Sequence, residues 1–164
     1  MSRAPESPFR HAVPDLLAEA GRRRVARVGT PVEWSLEMSH PTDRLEAELV
    51  LEGANGGVFV RGTAEVPYRS VCPRCLQEWD HDLTVRVGEL VGDGADYDLE
   101  GDVIDLEPVL RDAVLGALPD SPTCRDDCRG LCAVCGADLN TDPCSGHDEE
   151  SNSPFAVLRD LLEP

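Results

Sequence analysis

The chain contains no lysine: its fifteen basic residues are all arginine, set against thirty-two acids for a formal net charge of −17. Aromatic residues are also few, with three Phe, two Trp and two Tyr, so Leu and Val must fill most of any core. No apolar run approaches the ~18–20 residues of a membrane-spanning helix, and membrane insertion by that route is not expected. The N-terminal text MSRAPESPFRHAVPDLL places Pro and charge where a signal peptide carries its apolar region. The expected compartment is therefore the cytoplasm. Histidine is limited to His11, His40, His81 and His147, none of them in a recognisable arrangement with a nucleophile. His81, between Asp80 and Asp82 at a strand start, reads as a surface residue. There is no glycine-rich phosphate loop, because Asn55-Gly56-Gly57 has the chemistry of a hairpin turn. Nothing here names a hydrolase, and a non-enzymatic protein is expected.

The 164 residues suit one domain of ordinary size with a small appendage. Charge is unevenly distributed along them. Residues 1–92 hold 14 acids and 11 arginines, whereas 93–164 hold 18 acids and 4 arginines. A field of that sign repels a phosphate backbone, so the second half suits a basic protein partner better than nucleic acid. Arg22, Arg23, Arg24 and Arg27 form the one basic cluster. Without interleaved aromatics it is a weak signature for RNA, and internal pairing with the acidic body is the simpler reading.

The expected fold is α+β. It comprises an antiparallel β-meander or partly open barrel-like sheet packed by one main helix, a zinc-ribbon-like Cys-rich segment and a short terminal helix. Residues 1–13, rich in Pro, read as a disordered arm. The body spans 14–123, with 14–28 forming a short helix or ordered arm and a strand expected near Val32 to Met38. Leu45, Ala47, Leu49 and Leu51 alternate with Glu46, Glu48, Val50 and Glu52, the pattern of a half-buried strand. A second strand follows the hairpin from Val58 to about Tyr68, and a third runs from Trp79 to about Val91. The acidic loop 92–101 lacks the ligand spacing of an EF-hand and reads as solvated. Asp105 is the expected N-cap of a helix over about 105–118, with Leu106, Val109, Leu110, Ala113, Val114 and Ala117 on one stripe. Residues 124–148 form the Cys-rich segment. Residues 149–164 form a linker and a short helix, PFAVLRDLL.

Seven cysteines in a reducing compartment point to metal rather than disulfides. Cys72-Pro-Arg-Cys75 and Cys132-Ala-Val-Cys135 each have the two-residue gap that lets one turn aim two sulfurs at one ion. Cys124-Arg-Asp-Asp-Cys128 and Cys144-Ser-Gly-His147 add two more pairs, giving eight ligands for one or two structural zinc ions. Two divisions are open. One unites Cys72, Cys75, Cys124 and Cys128, and separately Cys132, Cys135, Cys144 and His147. The other gathers Cys124, Cys128, Cys132 and Cys135 around one ion and leaves Cys72 and Cys75 apart. Gly136 is expected to permit close backbone approach at its knuckle. An iron–sulfur cluster fits less well because of the two knuckles and the histidine. A redox CxxC lacks its βαβ context.

CPRCL before a strand, IDLEPVLRDAVLGALP, the run Gly130 to Asn140 (GLCAVCGADLN) and SPFAVLRDLL together resemble the YceD family of large ribosomal RNA subunit accumulation proteins. The resemblance covers about Leu45 to Leu162. It implies a role in accumulation of large-subunit (23S) ribosomal RNA during ribosome assembly. It also implies association with a zinc-ribbon ribosomal protein or a pre-ribosomal large-subunit particle. Some relatives keep the upstream CxxC and the pair after the helix without the GLCxxCG segment, which favours the first division of ligands. Where relatives end the cluster with a close Cys pair, this chain has Cys144 and then His147. The second functional expectation is a zinc-thiolate redox sensor.

Overall fold

A computed structural model of the chain describes residues 7–142, 144, 146 and 147. The elements in order are β1 (Arg10–Ala12), α1 (Pro14–Ala18), β2 (Arg23–Pro31), β3 (Ser39–Pro41), β4 (Arg44–Ala54), β5 (Gly57–Val71), β6 (Glu78–Gly92), β7 (Val103–Asp105) and α2 (Glu107–Ala117). Alternation in β4 does what its period requires: Leu45, Ala47, Leu49 and Leu51 are all buried, with the glutamates between them on the other face. The chain reverses at Asn55-Gly56, so that Ala54 faces Gly57 and β5 continues the same inward set with Val58, Val60, Ala64, Val66 and Tyr68. β6 pairs with β5 over its whole length, from Gly57↔Gly92 to Val71↔Glu78. β2 lies beside β4, and β3 takes the stretch of β5 beyond the end of β4. The result is a curled, half-barrel antiparallel sheet. Val109, Leu110 and Val114 of α2 are buried in the same hydrophobic core as the sheet's inward residues.

Four sequence expectations change. Residues 7–13 are not a disordered arm: β1 pairs with β7, His11 opposite Ile104, and Phe9 and Val13 on either side are buried. Two apolar anchors outweigh the local proline content there. The arginine cluster sits largely on a strand, because Ala26 and Val28 point inward at period two. The strand expected over Val32 to Met38 is absent: β2 ends at Pro31 and only Leu36 forms a bridge, to Ser39. That stretch instead offers the Trp34 carbonyl to the buried Tyr68 hydroxyl at 2.6 Å. Finally, Asp105 ends β7 rather than capping from the N-cap position, which Leu106 holds. Its carboxylate still accepts the Glu107 N–H at 2.9 Å. The helix read over PFAVLRDLL lies outside the described residues.

Candidate metal centres

The hairpin from β5 to β6 closes through Cys72-Pro-Arg-Cys75, and its geometry follows from two backbone bonds. The Leu76 N–H donates to the Cys72 carbonyl at 2.8 Å and the Cys72 N–H to the Gln77 carbonyl at 3.0 Å. The second knuckle repeats this: Gly136 N–H to the Cys132 carbonyl at 2.9 Å, and Cys132 N–H to the Ala137 carbonyl at 2.8 Å. Both knuckles need a left-handed residue after the second cysteine, φ 60° at Leu76 and 73° at Gly136. The role of Gly136 is thus its φ rather than close approach, since a Cβ there would meet nothing within 4 Å. Leu76 carries the left-handed penalty with a side chain 61% exposed. Leu76→Gly is accordingly expected to raise stability by roughly 1 kcal/mol, and Gly136→Ala to lower it by about the same amount, read as opposite shifts in denaturation midpoint.

The ligand-type side chains fall into two groups, in each of which all donor atoms lie within 4.8 Å of one another: Cys72, Cys75, Cys124 and Cys128, and Cys132, Cys135, Cys144 and His147. The alternative quartet of Cys124, Cys128, Cys132 and Cys135 does not form. In the first group Sγ–Sγ separations are 3.9 Å for Cys72–Cys128 and 3.7 Å for Cys75–Cys124. In the second, Cys132–Cys144 is 3.7 Å. A tetrahedron with metal–sulfur bonds of ~2.3 Å has edges of ~3.8 Å, which these three Sγ–Sγ separations match. The groups differ in setting. Cys72, Cys75 and Cys128 are buried and Cys124 is half-buried, whereas Cys135 and His147 are exposed.

The thiols are electrostatically poised. Burial pushes the Cys72 thiol up, but backbone N–H groups of Cys124, Cys75 and Arg74 outweigh it and bring the thiol down to about 6. The N–H groups of Cys135 and Val134 bring Cys132 down to about 6 as well. Burial, reinforced by the neighbouring sulfurs, pushes Cys124 up to about 12. Four such sulfurs cannot all ionise side by side, and a divalent cation is what removes that conflict.

The run Gly130 to Asn140 braces the first group as well as supplying Cys132 and Cys135 to the second, which spacing alone did not reveal. The Leu131 N–H donates to the Arg74 carbonyl at 3.0 Å, and Arg74 Nη1 donates to the Cys128 carbonyl at 3.2 Å. At Gly130 (φ 75°) a Cβ would sit 2.8 Å from the Arg74 carbonyl oxygen. Gln77 Nε2 donates to Asp138 Oδ2 at 2.9 Å, and Asn140 Nδ2 reaches Cys128 Sγ at 3.5 Å. A conspicuously polar, non-ligand Asp-Leu-Asn beside a knuckle was the available signal.

The arginine cluster is spent internally. Arg22 pairs with Asp15 and Glu19, Arg23 with Glu52, Arg24 with Asp15 and Arg27 with Glu48, at 2.9–3.4 Å. Among the described residues, ten of thirteen arginines lie within 4.0 Å of a described carboxylate. No helix among the described residues is long and apolar enough to cross a membrane.

Residues 60–162 match the model of a family described as "Large ribosomal RNA subunit accumulation protein YceD". An uncharacterized protein of Mycobacterium leprae, ML1660, is 33% identical over 156 residues, 85% of this chain and 67% of the relative. An uncharacterized protein of Mycobacterium tuberculosis, Rv2926c, is 37% identical over 132 residues, 73% of this chain and 63% of the relative. The chain thus spans about two thirds of the length of these curated relatives. No solved structure matches.

Proposed function

The chain belongs to the YceD family of large ribosomal RNA subunit accumulation proteins, and from that premise we propose that it is a non-enzymatic, cytoplasmic ribosome-biogenesis factor. It supports accumulation of 23S ribosomal RNA by holding a basic ribosomal protein or an assembly intermediate. Both Cys-rich groups carry structural zinc in this reading: four sulfurs in one, three sulfurs and an imidazole in the other, a donor chemistry that zinc accepts in either form.

The observation that carries the reading is the family match over residues 60–162, whose description names large-subunit RNA accumulation. Charge supports a protein as the immediate partner. At −17 the chain repels phosphate, and the arginines that would offset this are engaged with its own carboxylates. The four cluster arginines are therefore poor candidates for rRNA contact.

Pulldown from a ribosomal extract tests this. A basic large-subunit protein is expected on the tagged chain at low salt, its recovery falling severalfold by high salt because the attraction is screened. Recovery of free rRNA without any ribosomal protein contradicts the proposal. The redox-sensor reading has one observation in its favour, the exposed Cys135. It requires zinc release at low equivalents of peroxide together with a change of partner.

A further inference from the structure

We infer that the two metal centres are energetically coupled, and that Asn140 is the positioning residue through which loading of the exposed centre strengthens the buried one. The inference rests on the reading that both groups bind metal, and deepens it. Asn140 is no ligand. It lies in the loop between the two halves of the second centre, four residues before Cys144, yet its side-chain amide points to a sulfur of the first: Nδ2 to Cys128 Sγ, 3.5 Å.

Its orientation is fixed by three further bonds. Nδ2 also donates to Asp138 Oδ1 at 2.7 Å, Oδ1 accepts the Arg129 N–H at 2.8 Å, and the Asn140 N–H donates to Asp138 Oδ1 at 3.0 Å. Asp138 is in turn held by Gln77, at the base of the first knuckle. An N–H donated to a ligand sulfur aims that sulfur and holds it in place for an ion, as outer-sphere partners of metal ligands do. An ion joining Cys132 and Cys135 to Cys144 and His147 closes the loop that carries Asn140 and so holds that amide in place. Linkage then requires the effect to run in both directions.

The test uses cobalt(II) on the metal-free full-length chain, since a four-sulfur centre and a three-sulfur, one-nitrogen centre give separable absorption bands. Competition with a chelator yields each affinity. Asn140→Ala is expected to weaken the Cys72 centre by about tenfold, the lower end of what loss of an outer-sphere partner does. Cys144→Ser, which disables the second centre but keeps Asn140, is expected to weaken the first centre to a comparable degree. Combined with Asn140→Ala it adds nothing further there. Should Asn140→Ala not fold by circular dichroism, the isosteric Asn140→Asp, which removes the same donor, replaces it.

The inference is overturned if Cys144→Ser leaves the Cys72 centre unchanged, or weakens it equally with and without Asn140. Uptake of fewer than two cobalt ions by the wild-type chain defeats the prior reading that both groups bind metal, and is distinguished by stoichiometry.

Discussion

Cys72→Ser is expected to remove one zinc ion per chain and to leave the Cys-rich end of the molecule unfolded under conditions where the wild type is native. Cys72 is fully buried and its sulfur faces Cys128, 56 residues away in sequence, so an ion held there would join the β5–β6 turn to the segment after α2. Structural zinc contributes an apparent ~10–16 kcal/mol in small folded units. The whole stability of a typical domain is about 5–15 kcal/mol, so loss of one ligand of four is not a small perturbation. The serine would also leave three cysteines, two of them buried, without the cation that reconciles their charges. Amide hydrogen exchange is the most informative readout: protection should vanish over residues 124–140 and persist in β4 and β5. Uniform wild-type protection contradicts a structural role for the first centre.

Leu110→Ala is expected to cost about 2–5 kcal/mol, the range for emptying a well-packed aliphatic site. Leu110 has no exposed surface and is part of the same core as Leu49, Val60 and Val87 of the sheet. With few aromatics in the chain, the core is built mostly from such aliphatic residues, with Phe9 and Tyr68 as its buried rings. The midpoint of denaturant unfolding should fall with little change in slope. Arg111→Ala, at an exposed neighbouring position whose ion pair with Asp112 is on the surface, is expected within about 0.5 kcal/mol of wild type. Equal effects at both positions contradict the placement of α2.

What the sequence disclosed and what it hid divide along sequence distance. The strand pattern of Leu45 to Leu51, the turn at Asn55-Gly56 and the CxxC between two strands are local signals, and each is where its residues put it. The union of Cys72 and Cys75 with Cys124 and Cys128 was one of two open pairings, because spacing says which cysteines share a turn but not which turns meet. β1 escaped notice because its partner, β7, lies more than ninety residues downstream at Ile104, and three residues carry no periodicity. Internal pairing was the simpler expectation for the Arg22–Arg27 run and is what the structure shows, but spacing could not name Glu52 and Glu48, on the adjacent strand, as the partners of Arg23 and Arg27. Asn140 was read as part of a family signature, and only its 3.5 Å approach to Cys128 gives it a task.

The central claim is that two separate ions hold an acidic body in shape. Elemental analysis of zinc per chain in the wild type, Cys72→Ser and Cys132→Ser tests it most directly. The account predicts two ions in the wild type, with the loss of about one from each substituted chain, since Cys72 and Cys132 belong to different groups. A single ion in the wild type, or an unchanged zinc content in Cys72→Ser, contradicts it.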